Sequence, residues 1–475
     1  MKRKYYITTP IYYVNDIPHI GHSVTTVIAD ALARYHRKLG FEVFFLTGTD
    51  EHGAKVAQSA EKEGLTSQEF ADKVSERFKE TWKKLNISND YFIRTTSIEH
   101  KKIVQQVIEK INNNKDIYKG KYEGLYCVGC EKFLTEKELE NGKCPLHPNQ
   151  EIEKQIEENY FFRLSKYIPS LIKLIKNNKT NYIFPQNKRN EILSKLTEGV
   201  EDVSISREKI KWGVEFPLDK NHTVYVWVDA LINYYSATRF LKNKKDFWPA
   251  DLHLIGKEIL WFHTVIWPAM LLSADLPLPK KVYAHSFYTI DGQKMSKSLG
   301  NVISPIDLVD KYGVDGSRYL IASSFPQIND SDIGWDKLTE KYNADLANGL
   351  GNLISRVARL AQKEKIIVKN TKIEFDNAYD KSIRSQNIAE CLFEVWNNPQ
   401  WGIQAVNKKF NEEKIWEKSG KELNNSLEEI IEMILKISHH LYPFMPQTTE
   451  EIGTIFSPGE TVRFPAKPLF PRLAK

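Results

Sequence analysis

Apolar positions along this chain alternate between two periods. A β-prone run of Tyr5, Tyr6 and Ile7, then Ile11, Tyr12, Tyr13 and Val14, precedes Val24, Ile28, Leu32 and Tyr35 on one helical face. That sequence of patterns predicts a strand, a loop and a helix start. A second strand is predicted over 41–46. Thr66 with Glu69 three residues on reads as a capping box, opening a helix whose stripe is Phe70, Val74, Phe78, Trp82 and Leu85. Such alternation over 1–116 predicts a parallel sheet with helices on its faces, where ligands bind at the carboxyl ends of the strands. Residues 117–223 break the pattern and read as an insertion. It resumes over 223–228 and 252–255, so 224–286 is expected to complete the same sheet. Residues 287–340 then lead into a helical bundle over 341–475. Its signals are Leu346, Leu350, Leu353, Val357 and Leu360, and a second helix predicted to start at Ser426, capped by Glu429. The expected fold class is α/β with a C-terminal α-helical bundle.

Composition changes this picture little. A chain of 475 residues, 41% hydrophobic and 27% charged, is ordinary for a globular protein and long enough for two to four domains. Its net charge of +6 fits a polyanionic partner. The start Met1-Lys2-Arg3-Lys4-Tyr5 lacks the run of about 7 to 15 apolar residues that a signal peptide needs. No membrane-length apolar run follows it, so no membrane association and a cytoplasmic location are expected.

Candidate chemistry begins at the first helix start, in Pro18-His19-Ile20-Gly21-His22. Unpaired N–H groups and a positive macrodipole favour a phosphate at such a start. Two imidazoles flanking a glycine can donate to it as its charge redistributes. Far along the chain, Lys294-Met295-Ser296-Lys297-Ser298 supplies lysines able to hold leaving phosphates, and Asp291-Gly292 just before them is read as giving that loop freedom to close. Gly256-Lys257-Glu258 follows a predicted strand, where a glycine admits close approach of an adenosine and a carboxylate meets ribose hydroxyls. The alternative for Glu258 is an ordinary first-turn residue of a helix. Cys127 and Cys130, then thirteen residues, then Cys144 and His147 have the spacing of a closed, tetrahedral and therefore structural zinc knuckle. Unmetallated surface thiols are the other reading. Cys391, in an apolar stretch, is expected to be a buried, inert thiol.

Taken together with Pro10-Ile11-Tyr12-Tyr13-Val14-Asn15, Gly48-Thr49-Asp50-Glu51-His52-Gly53, Tyr126-Cys127-Val128-Gly129-Cys130-Glu131, Val226-Trp227-Val228-Asp229-Ala230 and Ile255 through His263, these motifs resemble the class I aminoacyl-tRNA synthetases. Within that class they resemble the methionyl-tRNA synthetases of bacterial type with a single zinc knuckle. The likeness runs from residue 10 to beyond 350. It implies a Rossmann-like parallel-sheet catalytic domain in two halves (1–116 and 224–286), a zinc-knuckle connective insertion (117–223), a linking region bearing the lysine loop (287–340) and an anticodon-binding bundle (341–475).

The activity implied is ATP-dependent formation of methionyl-adenylate, followed by transfer of methionine to the 3′ end of tRNA(Met), including the initiator. The implied cofactors are ATP, Mg2+ and one structural Zn2+ per chain. His19 and His22 fall to the α-phosphate, Lys294 and Lys297 to the β and γ phosphates, and Gly256, Glu258, Met295 and Ser296 complete the ATP-binding set. By position, Ile11, Tyr13, Trp227, Leu231, Tyr234, Ile259, His263 and Trp267 match the family's methionine pocket, and Asp50 matches the carboxylate that receives the α-ammonium. Leu231 stands where some relatives have proline, and His147 where many knuckles have a fourth cysteine.

Asn352 and Arg356, at i and i+4 on one predicted helix flank, can read base edges, and Trp416 matches the family's anticodon-stacking tryptophan. A partly buried bundle residue is the alternative for Trp416. The chain stops soon after Pro468-Leu469-Phe470-Pro471-Arg472, where some relatives continue into a dimerising module, so a monomer is expected. The competing functions are another class I synthetase and a non-catalytic tRNA-binding paralogue. Enzymes for leucine, isoleucine or valine carry a far longer editing insertion, a cysteine-specific relative would put zinc ligands in its amino-acid pocket, and a binding protein has no use for both ATP motifs.

Overall fold

The computed structural model describes residues 2–15, 17–127, 132–134, 136, 139–145, 150–177, 182–295 and 300–474. Cys130, His147, Ser296 and Lys297 lie outside the described residues, as does the side chain of Lys294.

Two compact units emerge: Met1–Pro18, Gly40–Glu80 and Asn89–His285 form one, and His19–Leu39, Thr81–Ser88 and Ser286–Lys475 the other. The helix that begins at His19 therefore groups with the C-terminal half of the chain, a division that the sequence pattern of 1–116 does not convey.

The first unit is built on a six-stranded, wholly parallel sheet. Its spatial order is Tyr91–Arg94, Glu42–Asp50, Lys4–Tyr13, Leu252–Gly256, Val282–His285 and Ile183–Phe184. The strand order reverses beside Lys4–Tyr13, which makes the carboxyl ends of that strand and of Leu252–Gly256 the switch point where doubly wound sheets bind ligands. Ile183–Phe184 joins this sheet from within 117–223, and Leu171, Ile175, Ile192 and Leu196 sit in the same apolar core, so only part of that stretch stands apart. The part that does is antiparallel, with Ile117–Cys127 pairing along its length with Glu153–Phe162.

The strand expected over 223–228 is corrected. Thr223–Val224 pairs antiparallel with Ser206–Arg207, and Val226–Phe240 is a helix. Val226, Val228, Asp229, Ala230 and Leu231 are all buried, and a helix apolar all round has no period to betray it.

Glu69 does close a capping box with Thr66: the Thr66 N–H donates to Glu69 Oε2 (2.9 Å) and the Glu69 N–H to Thr66 Oγ1 (3.2 Å). Gly48 admits no side chain, since a Cβ there would lie 2.0 Å from the Ile93 carbonyl oxygen on the next strand.

The second unit is mainly helical, with a small sheet of Gln293–Lys294, Tyr288–Ile290 and Ser331–Ile333. Fully buried Arg318 is its hub. Its guanidinium donates to the carbonyls of Leu85 (3.1 Å), Pro443 (3.1 Å) and Phe444 (2.8 Å) and pairs with buried Asp30 at 2.7 Å. One planar fork thus ties distant chain segments together. The long bundle helix begins at Gly420, six residues before the predicted Ser426, whose hydroxyl instead accepts from Lys418 (3.0 Å). Polar Lys421, Glu422, Asn424 and Asn425 hide those first turns from an apolar pattern.

Candidate active site

At the switch point of the first unit, Tyr13 and Asp50 are direct ladder partners on neighbouring strands, and the Val14 N–H donates to the Asp50 carbonyl (3.0 Å). Opposite in the chain, the strand Leu252–Gly256 runs into a single 3-10 turn, then a π-helical turn at Phe262–Ile266. Such turns re-aim side chains and recur at functional sites. His263 Nδ1 donates to the Ile259 carbonyl (3.0 Å), so Nε2 is the acceptor for the Tyr234 hydroxyl (2.7 Å). Burial holds His263 down at about 4, which keeps it neutral and preserves that arrangement. The Tyr234 phenol is pushed up, first by burial and further by the nearby charge of Asp50. Its ring lies 6.3 Å from that of Trp267.

Leu231, Tyr234, His263 and Trp267 are buried, and Ile11, Tyr13, Trp227 and Ile259 are half-buried around the same core. Trp227 stacks on Phe262 at 4.2 Å between ring centroids. Phe262 and buried His253, 4.3 Å from Tyr234, were not singled out by the sequence. Phe262 lies next to His263 in the chain, and its stacking on Trp227 is a tertiary contact that no local period announces.

Glu258 is exposed and folds back, so that a Cβ on Gly256 would stand 2.4 Å from its Oε2. The small residue therefore makes room for this carboxylate as well as for any ligand.

In the second unit, helix Ile20–Lys38 opens on a cap made of imidazoles. The Gly21 N–H donates to His19 Nδ1 (3.1 Å) and the His19 N–H to His22 Nδ1 (3.2 Å), with the rings stacked at 3.7 Å. The expectation of unpaired N–H groups at this helix start is corrected, because the Ile20 N–H also donates to the Ile303 carbonyl (3.0 Å) and the His22 N–H to that of His19 (2.9 Å). Since each Nδ1 accepts, each neutral ring carries its proton on Nε2, a donor suited to an oxyanion. Burial and then the neighbouring His19 hold His22 well below the ordinary imidazole range.

The Ile20–Ile303 bond brings the helix start against the chain that leaves the lysine loop. Met295 approaches as well: its Cε would lie 3.6 Å from a Cβ on Gly21. Met295 of the second motif thus neighbours the first. Asp291-Gly292 differs from the free hinge expected of it. Both residues have positive φ and form the tight turn between Tyr288–Ile290 and Gln293–Lys294. The Gly292 N–H donates to Asp332 Oδ1 (2.7 Å), and this bond, with Lys337, brings the Asp332 carboxyl down to about 2. The turn is pinned.

Cys127 and Cys144 are buried in one small apolar cluster with Leu134. That placement fits a soft-ligand zinc knuckle, whose other two candidate ligands, Cys130 and His147, lie outside the described residues. Among the described residues no group of three metal-ligating side chains occurs. Cys391 is buried with its thiol pushed well up by burial, as expected of an inert one.

In the bundle, Asn352 is exposed and Arg356 half-buried. The Arg356 guanidinium lies 4.3 Å from the Phe410 ring and 5.6 Å from that of Trp416, and donates to Asn411 Oδ1 (2.7 Å). Trp416 is 46% exposed, which favours a surface platform over a bundle-core role. Phe410 and Asn411 are additions that no motif in the sequence announced. No helix among the described residues is long and apolar enough to cross a membrane.

Over residues 5–155 and 138–358 the sequence matches the family described as tRNA synthetases class I (M), and over 367–470 the anticodon-binding domain of tRNA ligases. It is 46% identical to the methionine–tRNA ligase of Thermotoga maritima, across 94% of this chain and 74% of that protein. It is 41% identical to the Caldanaerobacter subterraneus methionine–tRNA ligase, across 98% and 71%. The structure of Mycobacterium tuberculosis methionyl-tRNA synthetase in complex with methionyl-adenylate superimposes with a TM-score of 0.89 at 33% identity, covering 99% of this chain and 100% of that one. By sequence over nearly its whole length and by fold, the chain belongs to the methionyl-tRNA synthetases of class I.

Proposed function

We propose that this chain, an ATP-dependent methionine–tRNA ligase by family, performs its reaction through the residues named above. The carboxylate of methionine attacks the α-phosphate of ATP, pyrophosphate leaves, and the acyl group passes from AMP to the terminal ribose of tRNA(Met), the initiator included. Asp50 receives the α-ammonium. Ile11, Tyr13, Trp227, Leu231, Tyr234, Ile259, His263 and Trp267 surround the side chain, with the polarisable sulfur among aromatic rings. His19 and His22 donate from Nε2 to the α-phosphate, and Lys294 and Lys297 hold the β and γ phosphates as charge develops there. Gly256 and Glu258 take the adenosine, with Met295 and Ser296 completing the ATP contacts. Mg2+ offsets phosphate charge.

Asn352, Arg356 and Trp416 read the anticodon. Cys127, Cys130, Cys144 and His147 hold one zinc that serves the fold alone; a cytoplasmic location belongs to the same reading. The observation that carries the proposal is the neutral Tyr234–His263–Ile259 chain of hydrogen bonds, which pairs the polar groups of these two buried side chains among apolar residues, with the charge of Asp50 near Tyr234.

Amino-acid-dependent exchange of pyrophosphate into ATP, run across all twenty amino acids with magnesium, tests it. Methionine alone should support exchange; strong exchange with leucine or isoleucine, or none with any, would contradict the assignment. Metal analysis of freshly purified protein should return about one zinc per chain, lost in Cys144→Ala.

A further inference from the structure

His52, two positions after Asp50, and Asp229, two after Trp227, belong to motif segments but have no part in the reaction described above. In the first unit they meet. Asp229 is fully buried, and its Oδ2 accepts from His52 Nδ1 at 2.6 Å while its Oδ1 accepts from His100 Nε2 at 2.8 Å. His100 also bonds Ser236 Oγ (2.7 Å), two turns further along the helix of Asp229. Burial alone would raise the Asp229 carboxyl, but the two imidazoles bring it down to about 2, so it is a carboxylate.

The bond to Asp229, with an edge contact to the Trp212 ring at 5.4 Å, holds the His52 ring, whose Nε2 is buried and has no hydrogen-bond partner among the described residues. A buried ring nitrogen left unpaired costs stability, so packing alone does not explain an imidazole here. The backbone around it is braced from the other side. Trp212 Nε1 donates to the Glu51 carbonyl (2.5 Å), and the Gly53 N–H donates to the Trp212 carbonyl (3.0 Å).

The strand end that carries Asp50, through His52 just beyond it, and the helix that carries Trp227, Leu231 and Tyr234 are therefore joined through one carboxylate. We propose that His52 and Asp229 are positioning residues that set the spacing between the amine receptor Asp50 and the side-chain pocket, and so determine the length of amino acid accepted. This rests on the methionine-site reading given above. A ligand anchored at its ammonium measures its side chain against the distance from that anchor, and a displacement of about 1 Å can cost about a hundredfold.

The test is pyrophosphate exchange by the full chain with methionine and with ethionine, which is one methylene longer. His52→Gln and Asp229→Asn should each raise the methionine KM about tenfold or more, leave the ATP KM within about twofold, and narrow the preference for methionine over ethionine severalfold. Asp50→Asn is the control. If it leaves the methionine KM unchanged, the site reading itself fails; if it raises that KM while folded His52→Gln and Asp229→Asn do not, the spacing role alone fails. Methionine and ATP constants rising together with discrimination intact, or failure of both variants to fold, would assign the network to stability and overturn the proposal.

Discussion

In the first unit four of the residues proposed to hold the amino acid are core residues: Leu231, Tyr234, His263 and Trp267 are each no more than 2% exposed. In the second unit the residues proposed to act on the phosphates, His19 and His22, are half-buried at a helix end, while stability there is carried elsewhere by Arg318, Asp30 and the bundle core. The difference teaches where function and stability can be separated. A pocket for an apolar side chain has to be made of the same atoms that pack the core, so a change in it is felt by both. Groups that meet phosphates have to reach solvent-facing ligands, and the loss of His19 or His22 costs the fold no more than a helix cap, about 0.5 to 2 kcal/mol.

The largest effect that would sharpen this contrast is expected at Arg318. Arg318→Ala leaves Asp30 buried with part of its pairing gone, and should cost about 3 to 5 kcal/mol in denaturant unfolding. The exchange rate per folded molecule should stay close to that of the parent, since neither Arg318 nor Asp30 is assigned a substrate contact. A variant of full stability and lost exchange would break the separation.

Acid should act on the first unit through His263. Its folded value of about 4 lies below the value of about 6.5 for an unfolded imidazole. Between those values the unfolded chain binds more protons, so the contribution is whole above about pH 6.5 and is lost as pH falls toward 4, by up to about 3 kcal/mol. Urea midpoints of the parent and His263→Gln between pH 7 and 4 should diverge in slope, the variant being the less acid-sensitive. Equal slopes would mean that His263 is not held neutral by its burial.

The smallest effect is expected at the anticodon surface. Trp416→Ala should impair aminoacylation of tRNA bearing the CAU anticodon by about 1 to 3 kcal/mol and leave amino-acid activation intact. Equal loss in both reactions would give Trp416 a structural role instead.

Much of this was legible in the sequence where one local rule decides. The Thr66–Glu69 box, the strand after Lys4 and the helix after His19 each follow from a few neighbouring residues. The site residues were legible through motif resemblance, and their contacts then follow from the fold. What escaped depends on tertiary surroundings. Val226–Val228 reads as a strand because its β-branched residues are buried on every side of a helix. Ile183–Phe184 is too short to announce that it completes the parallel sheet. The π turn at Phe262–Ile266 leaves no period of its own, and Asp291-Gly292 looks like a hinge until Asp332 is seen to pin it. Asp229 is the clearest case: a lone acidic residue in an apolar run, explained only by two histidines from distant segments.

The most direct test of the contrast is single-turnover adenylate formation by Lys297→Ala and His263→Ala, each measured beside its melting temperature. Lys297→Ala should slow the chemical step about a hundred- to a thousandfold with methionine affinity and melting temperature unchanged, because its charge is used mainly in the transition state. His263→Ala should weaken methionine binding and lower the melting temperature together. A Lys297→Ala defect confined to methionine affinity, or a His263→Ala chain that loses binding with no loss of stability, would contradict the account.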